Sequence, residues 1–138
     1  MKTVLFVCVH NAGRSQIAEA FLNHLARGSV IGVRAISAGT LGAGTLNPLA
    51  VEAMQEVGIS MKGHVPKALT QQMADAADLV VSMGCGVDAE ACPAKFLVAE
   101  DWGLDDPAGQ PIEKVRVIRD QIRVRVADLL SRIEVAGQ

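Results

Sequence analysis

Residues 4–9 form an unbroken apolar run, Val4, Leu5, Phe6, Val7, Cys8 and Val9, with no polar alternation, and this predicts a strand buried on both faces. From Ser15 the period changes to that of a helix, with Ala18, Phe21, Leu22 and Leu25 on one side and Gly28 as the stop. Residues 30–37 read as a second strand. Asn47 and Pro48 then supply a cap and a first-turn proline for a helix carrying Val51, Met54 and Val57 before Gly58. Thr70 caps a shorter helix through Ala77, residues 78–83 are a third strand and residues 95–99 a fourth. A polar loop over 100–110 follows, and Pro111 opens a long helix with Val115, Ile118, Ile122, Val126, Leu129 and Ile133 as its inward stripe.

Strands alternating with helices predict an α/β fold: a three-layer sandwich with a four-stranded parallel sheet and helices on both faces. At 138 residues, 50% hydrophobic, the chain suits one domain over 1–138 with one well-buried core. The pattern does not give the strand order. Ligands of such sheets bind beyond the carboxyl ends of the strands, and Cys8, Cys85 and the Asp105-Asp106 pair each follow a strand. They are expected at one edge.

A net charge of −2, three phenylalanines and one tryptophan provide neither the field nor the stacking platforms for nucleic acid. The first apolar run is soon interrupted by His10 and Asn11, too short for a secretory core, and no later run approaches a membrane span, so a cytoplasmic protein is expected. Three cysteines are an odd count for a disulfide framework and favour thiol chemistry or ordinary burial.

Between the first strand and first helix lies Cys8-Val9-His10-Asn11-Ala12-Gly13-Arg14-Ser15. A loop closing onto a helix N-terminus turns successive backbone N–H groups inward, so Val9 to Ser15 can cradle a tetrahedral oxyanion. Gly13 permits close backbone approach, Asn11 tolerates a left-handed conformation, Arg14 can clamp two oxygens, and Ser15 can donate to the Cys8 sulfur. The same donors favour the thiolate, which makes Cys8 a candidate nucleophile. The plainer reading is a small buried residue ending a strand, with Arg14 a surface charge and Ser15 a cap.

This loop resembles the phosphate loop of low-molecular-weight protein tyrosine phosphatases and of the arsenate reductases that share their fold. Ser37-Ala38-Gly39-Thr40 and Trp102-Gly103-Leu104-Asp105-Asp106-Pro107 extend the resemblance over most of the chain. It implies that Asp106, before Pro107, is the general acid that protonates a departing oxygen, with Asp105 the second choice. In isolation, the same three residues would be read as a turn.

Six residues separate Cys85 from Cys92. On a helix the pair would lie about 10.5 Å apart along the axis, against the roughly 4.4–6.8 Å between Cα atoms that a disulfide allows, so joining them requires the segment to unwind. The spacing resembles that of thioredoxin-coupled arsenate reductases. It suits a relay in which Cys8 attacks arsenate, Cys85 attacks the adduct sulfur and releases arsenite, and Cys92 resolves the bridge. Thioredoxin is the expected reductant. The loop lacks the extra cysteine often found before the arginine in that group, and similar loops occur in relatives that use glutaredoxin or mycothiol.

Phosphate or sulfate would mimic arsenate in the loop. A phosphatase acting through a phosphocysteine at Cys8 is the alternative function, and a thiol redox sensor or anion-binding module the second. Phosphorus is not reduced when its cysteine adduct is attacked at sulfur, so the two later thiols favour arsenic. No cofactor is expected. His10, His24 and His64 form no recognisable metal set. Some relatives bind potassium, and Asn11, Glu19 and Ser37 resemble part of that site, but such oxygens are common on any helix face and no metal is expected.

Overall fold

The computed structural model describes residues 2–42, 44–83 and 98–136. Its elements are β1 (Lys2–Cys8), α1 (Arg14–Ala26), β2 (Val33–Gly39), α2 (Pro48–Glu56), α3 (Gln71–Ala76), β3 (Leu79–Ser82), β4 (Glu100–Asp101) and α4 (Ile112–Ala136). The strands form one parallel sheet in the order β2-β1-β3-β4. The unbroken apolar run of β1 is explained by its place inside the sheet, paired with β2 on one side and β3 on the other.

Because side chains alternate across a strand, β1 feeds two cores. Val4, Phe6 and Cys8 join the larger one with α1, α2 and α4, while Leu5 and Val7 join a smaller one with Leu69, Ala74 and Val80 beside α3. Sheet and two helical layers are thereby defined. Every residue of the stripe read on α4, from Val115 to Ile133, is buried. On α2 the most buried residues are Ala50, Ala53 and Met54, while Val51 and Val57 pack at the edge. Asn47 caps α2 by accepting from the Leu49 N–H, and Thr70 caps α3 by accepting from the Met73 N–H.

Two strand boundaries depart from the pattern. β2 starts at Val33, opposite Lys2, and Val30 is 95% exposed: an apolar residue at a turn, since the Ile31 N–H is taken by the Ser29 hydroxyl. The fourth strand is Glu100–Asp101, inside the expected polar loop, and Val98 and Ala99 lie outside any strand. Tertiary bonding explains the shift. Trp102 N–H donates to the Ser82 carbonyl, the Asp101 carboxylate accepts from the Ser82 hydroxyl, and Glu100 pairs with Arg132 of α4, so these charges are satisfied at a sheet edge. Residues 95–97 of the expected strand lie outside the described residues.

Candidate active site

Cys8 is the last residue of β1, and the loop from Val9 to Gly13 carries the chain onto α1, which begins at Arg14. Two close approaches shape the loop. Gly39, at the end of β2, lies so near that a Cβ there would collide with the Val9 carbonyl oxygen and stand 2.9 Å from Asn11 N. Ala12 is braced from the other side, its carbonyl accepting from Asn47 N–H at 2.8 Å. Asn11 adopts φ 57°, the left-handed conformation the loop needs to reverse, and its side chain is fully buried.

The sulfur is held by two donors. Asn11 N–H points to Cys8 Sγ at 3.1 Å, and Ser15 Oγ lies 2.8 Å from it. Ser15 Oγ itself accepts from Asn11 Nδ2 at 2.8 Å, which leaves its own hydrogen for the sulfur. Both contacts stabilise a thiolate. Unlike α2 and α3, α1 has no side-chain cap, so the N–H groups of its first turn remain available to an anion.

A cleft of about 250 Å³ opens above the sulfur, lined by Cys8, His10, Ala12, Gly13 and Arg14 from the loop, by Thr45 and Asn47, and by Asp106, Pro107 and Ala108 opposite. Arg14 is buried; its Nη1 donates to the carbonyls of Met83 (3.0 Å) and Leu104 (2.8 Å), which fixes the guanidinium plane, while Nη2 faces Asp106 Oδ2 at 3.8 Å. Pro107 seats directly over Gly13: a Cβ on that glycine would meet Pro107 Cγ at 2.8 Å.

The two aspartates separate by geometry. Asp106 faces the cleft, with Oδ1 accepting from Ala108 N–H at 2.9 Å. Asp105 turns outward to Lys114 Nζ at 2.7 Å, and that hydrogen bond and charge hold its carboxyl below the usual carboxylate range, a poor state for a proton donor.

The structure thus brings Cys8, His10, Ala12, Gly13, Arg14 and Asp106 to one cleft and sets Asn11 and Ser15 behind the sulfur. Val9 is half-buried, its carbonyl engaged by Leu41 N–H. Cys85 and Cys92 lie outside the described residues. Sequence reasoning missed Thr45, Pro107 and Ala108 as cleft walls, assigned Asn47 only a capping role, and missed Gln16, which bonds Asn11 from within the core. Nothing in the local pattern marks Gln16; on the expected helix it is one more polar residue.

Glu19 and Ser37 do come together, with Ser37 Oγ donating to Glu19 Oε1 at 3.2 Å, but Lys67 Nζ stands 3.9 Å from the same oxygen and His64 Nδ1 3.1 Å from the other. Asn11 Oδ1 already accepts from Gln16 and from Lys67 N–H. With an ammonium beside the carboxylate, this set does not fit a potassium ion.

A sequence model described as "Low molecular weight phosphotyrosine protein phosphatase" matches residues 3–138. A glutaredoxin arsenate reductase of Synechocystis sp. is 37% identical over 134 residues, which cover 96% of this chain and 99% of that protein. A thioredoxin-dependent arsenate reductase of Corynebacterium glutamicum is 39% identical with a TM-score of 0.78, the match covering 99% of this chain and 63% of that one. The YwlE arginine phosphatase from Geobacillus stearothermophilus is 27% identical with a TM-score of 0.82, covering 99% and 95%. Both reductases and a phosphatase therefore share this fold.

Proposed function

Since the chain belongs to the low molecular weight phosphotyrosine protein phosphatase family, we propose that it is an arsenate reductase whose nucleophile is Cys8. The observation that carries this reading is the cleft itself: a doubly hydrogen-bonded sulfur at the base of an uncapped helix, with Arg14 and Asp106 beside it, and neither phenylalanine nor tryptophan lining it among the described residues. Such a site suits a small tetrahedral oxyanion better than a flat phenol. The 37% and 39% identities to arsenate reductases support the choice of arsenate.

The Cys8 thiolate attacks arsenic, and one arsenic–oxygen bond breaks as Asp106 protonates the leaving oxygen, giving a thiol–arsenate adduct and water. N–H groups of the loop from Val9 to Ser15, apart from that of Asn11, which donates to the sulfur, and the Arg14 guanidinium hold the remaining oxygens. The Cys85 thiolate then attacks Cys8 sulfur; a disulfide forms, the sulfur–arsenic bond breaks, and its electron pair leaves with arsenic as arsenite. Cys92 attacks Cys85, freeing Cys8, and the Cys85–Cys92 disulfide is reduced by thioredoxin, the donor named for the Corynebacterium relative. Glutaredoxin, named for the Synechocystis relative, is the alternative.

Cys8, Arg14 and Asp106 would also suffice for phosphate ester hydrolysis through a phosphocysteine. The two reactions are told apart by arsenate turnover with thioredoxin or glutaredoxin systems, set beside p-nitrophenyl phosphate hydrolysis, in wild type and in Cys8→Ser, Cys85→Ser and Cys92→Ser. Reduction should need all three thiols, hydrolysis only Cys8. Full multiple-turnover arsenate reduction by Cys85→Ser would overturn the relay.

A further inference from the structure

A file of hydrogen bonds leaves the sulfur through the interior: Cys8 Sγ to Ser15 Oγ (2.8 Å), Ser15 Oγ to Asn11 Nδ2 (2.8 Å), Asn11 Oδ1 to Gln16 Nε2 (2.9 Å) and Gln16 Oε1 to His64 Nδ1 (2.9 Å). Asn11, Ser15 and Gln16 have no exposed surface. We infer that Gln16 is a positioning residue for the Cys8 nucleophile, acting through Asn11 to keep the Ser15 hydroxyl donating to sulfur. The inference rests on Cys8 being the nucleophile, and not on arsenate being the substrate.

Two backbone groups fix the sense of the file. Lys67 N–H donates to Asn11 Oδ1 at 2.8 Å, so that atom is the amide oxygen; the Val65 carbonyl accepts from Gln16 Nε2 at 2.9 Å, so that atom is the amide nitrogen. The other Gln16 hydrogen goes to Asn11 Oδ1, Asn11 Nδ2 can only donate to Ser15, and the Ser15 hydrogen is left for sulfur. Gln16 is thus a second link, beside the direct bond from Lys67 N–H, through which a segment about fifty positions away holds the hydroxyl in its donating sense.

Gln16→Met fills the same space without the amide, and every former partner keeps another: Asn11 Oδ1 keeps Lys67 N–H, His64 keeps Glu19 at 3.1 Å, and the Val65 carbonyl keeps Lys67 Nζ at 3.4 Å. The variant should therefore fold, with Asn11 held by one donor and free to swing off Ser15. It leaves His10, Arg14 and Asp106 around the cleft, and Glu19, His64 and Lys67 at the far end, unchanged.

The test is iodoacetamide alkylation of Cys8, resolved from the other thiols by mass spectrometry, since only the thiolate reacts. The thiolate-to-thiol ratio read from the full pH profile of the alkylation rate should fall about fivefold in Gln16→Met, the size of one neutral hydrogen bond. In a Ser15→Ala background the same substitution should change nothing further. An unchanged ratio alongside a lowered melting temperature, or equal effects in both backgrounds, would overturn the inference. Should Gln16→Met be insoluble, His64→Ala at its half-buried position decides: a fall of about twofold is expected, and no change would overturn the link. These readings stand whether or not arsenate is turned over.

Discussion

At the scale of single residues, the cleft is built from pieces whose chemistry is local and whose aim is not. Gly13 was legible as a residue allowing close approach; that the approach is by the Pro107 ring, 2.8 Å from where a Cβ would sit, depends on a loop more than ninety positions downstream. The Asp106-Pro107 resemblance put Asp106 ahead of Asp105, and the fold supplies the physical difference by turning Asp105 to Lys114 and Asp106 to the cleft. Asp106→Asn should lower arsenate turnover about 10²–10⁴-fold, the usual worth of a general acid. Asp105→Asn should stay within a few-fold of wild type. Steady-state rates at neutral pH check both, and equal losses in the two variants would remove Asp106 from its role.

Among elements, helices with a 3.6-residue stripe and their own caps were the most legible, because the signals that begin and shape them lie inside the segment. Strand ends were less so. β4 is a pair of acidic residues that become a strand only because β3 lies alongside and Arg132 of α4 reaches back to Glu100. The Arg132 hydrogen bond, outweighing desolvation and aided by Trp102, holds the Glu100 carboxyl below its ordinary value. A carboxylate depressed in the folded state stabilises the fold above its unfolded pKa, about 4.3, and that stabilisation is lost as pH falls through the folded value. Wild type should therefore exceed Arg132→Gln by about 0.5–1 kcal/mol at pH 7, a size limited by the half-exposed arginine. Chemical denaturation at pH 7, 5 and 3 should show the gap closing towards pH 3; a gap that persists there would mean that the pair does not cause it.

For the molecule as a whole, the larger core joins one face of β1 to α1, α2 and α4, with Ile122 fully buried in it. Ile122→Ala should cost about 2–5 kcal/mol in urea unfolding with the denaturant slope unchanged. A cost under 1 kcal/mol would mean that the cavity collapses. The sequence by itself determined the alternation of elements, the buried stripes, and the loop between β1 and α1 with its thiol, because these are set by short-range periodicity and by side-chain chemistry a few positions apart. Only the tertiary structure decided the order β2-β1-β3-β4, the turning of Asp105 out to Lys114, the wall of Thr45, Pro107 and Ala108, and the line from His64 through Gln16 to Ser15. Each of these is a meeting of groups dozens of residues apart, and which distant groups meet is settled by the packing of the layers and not by any local pattern.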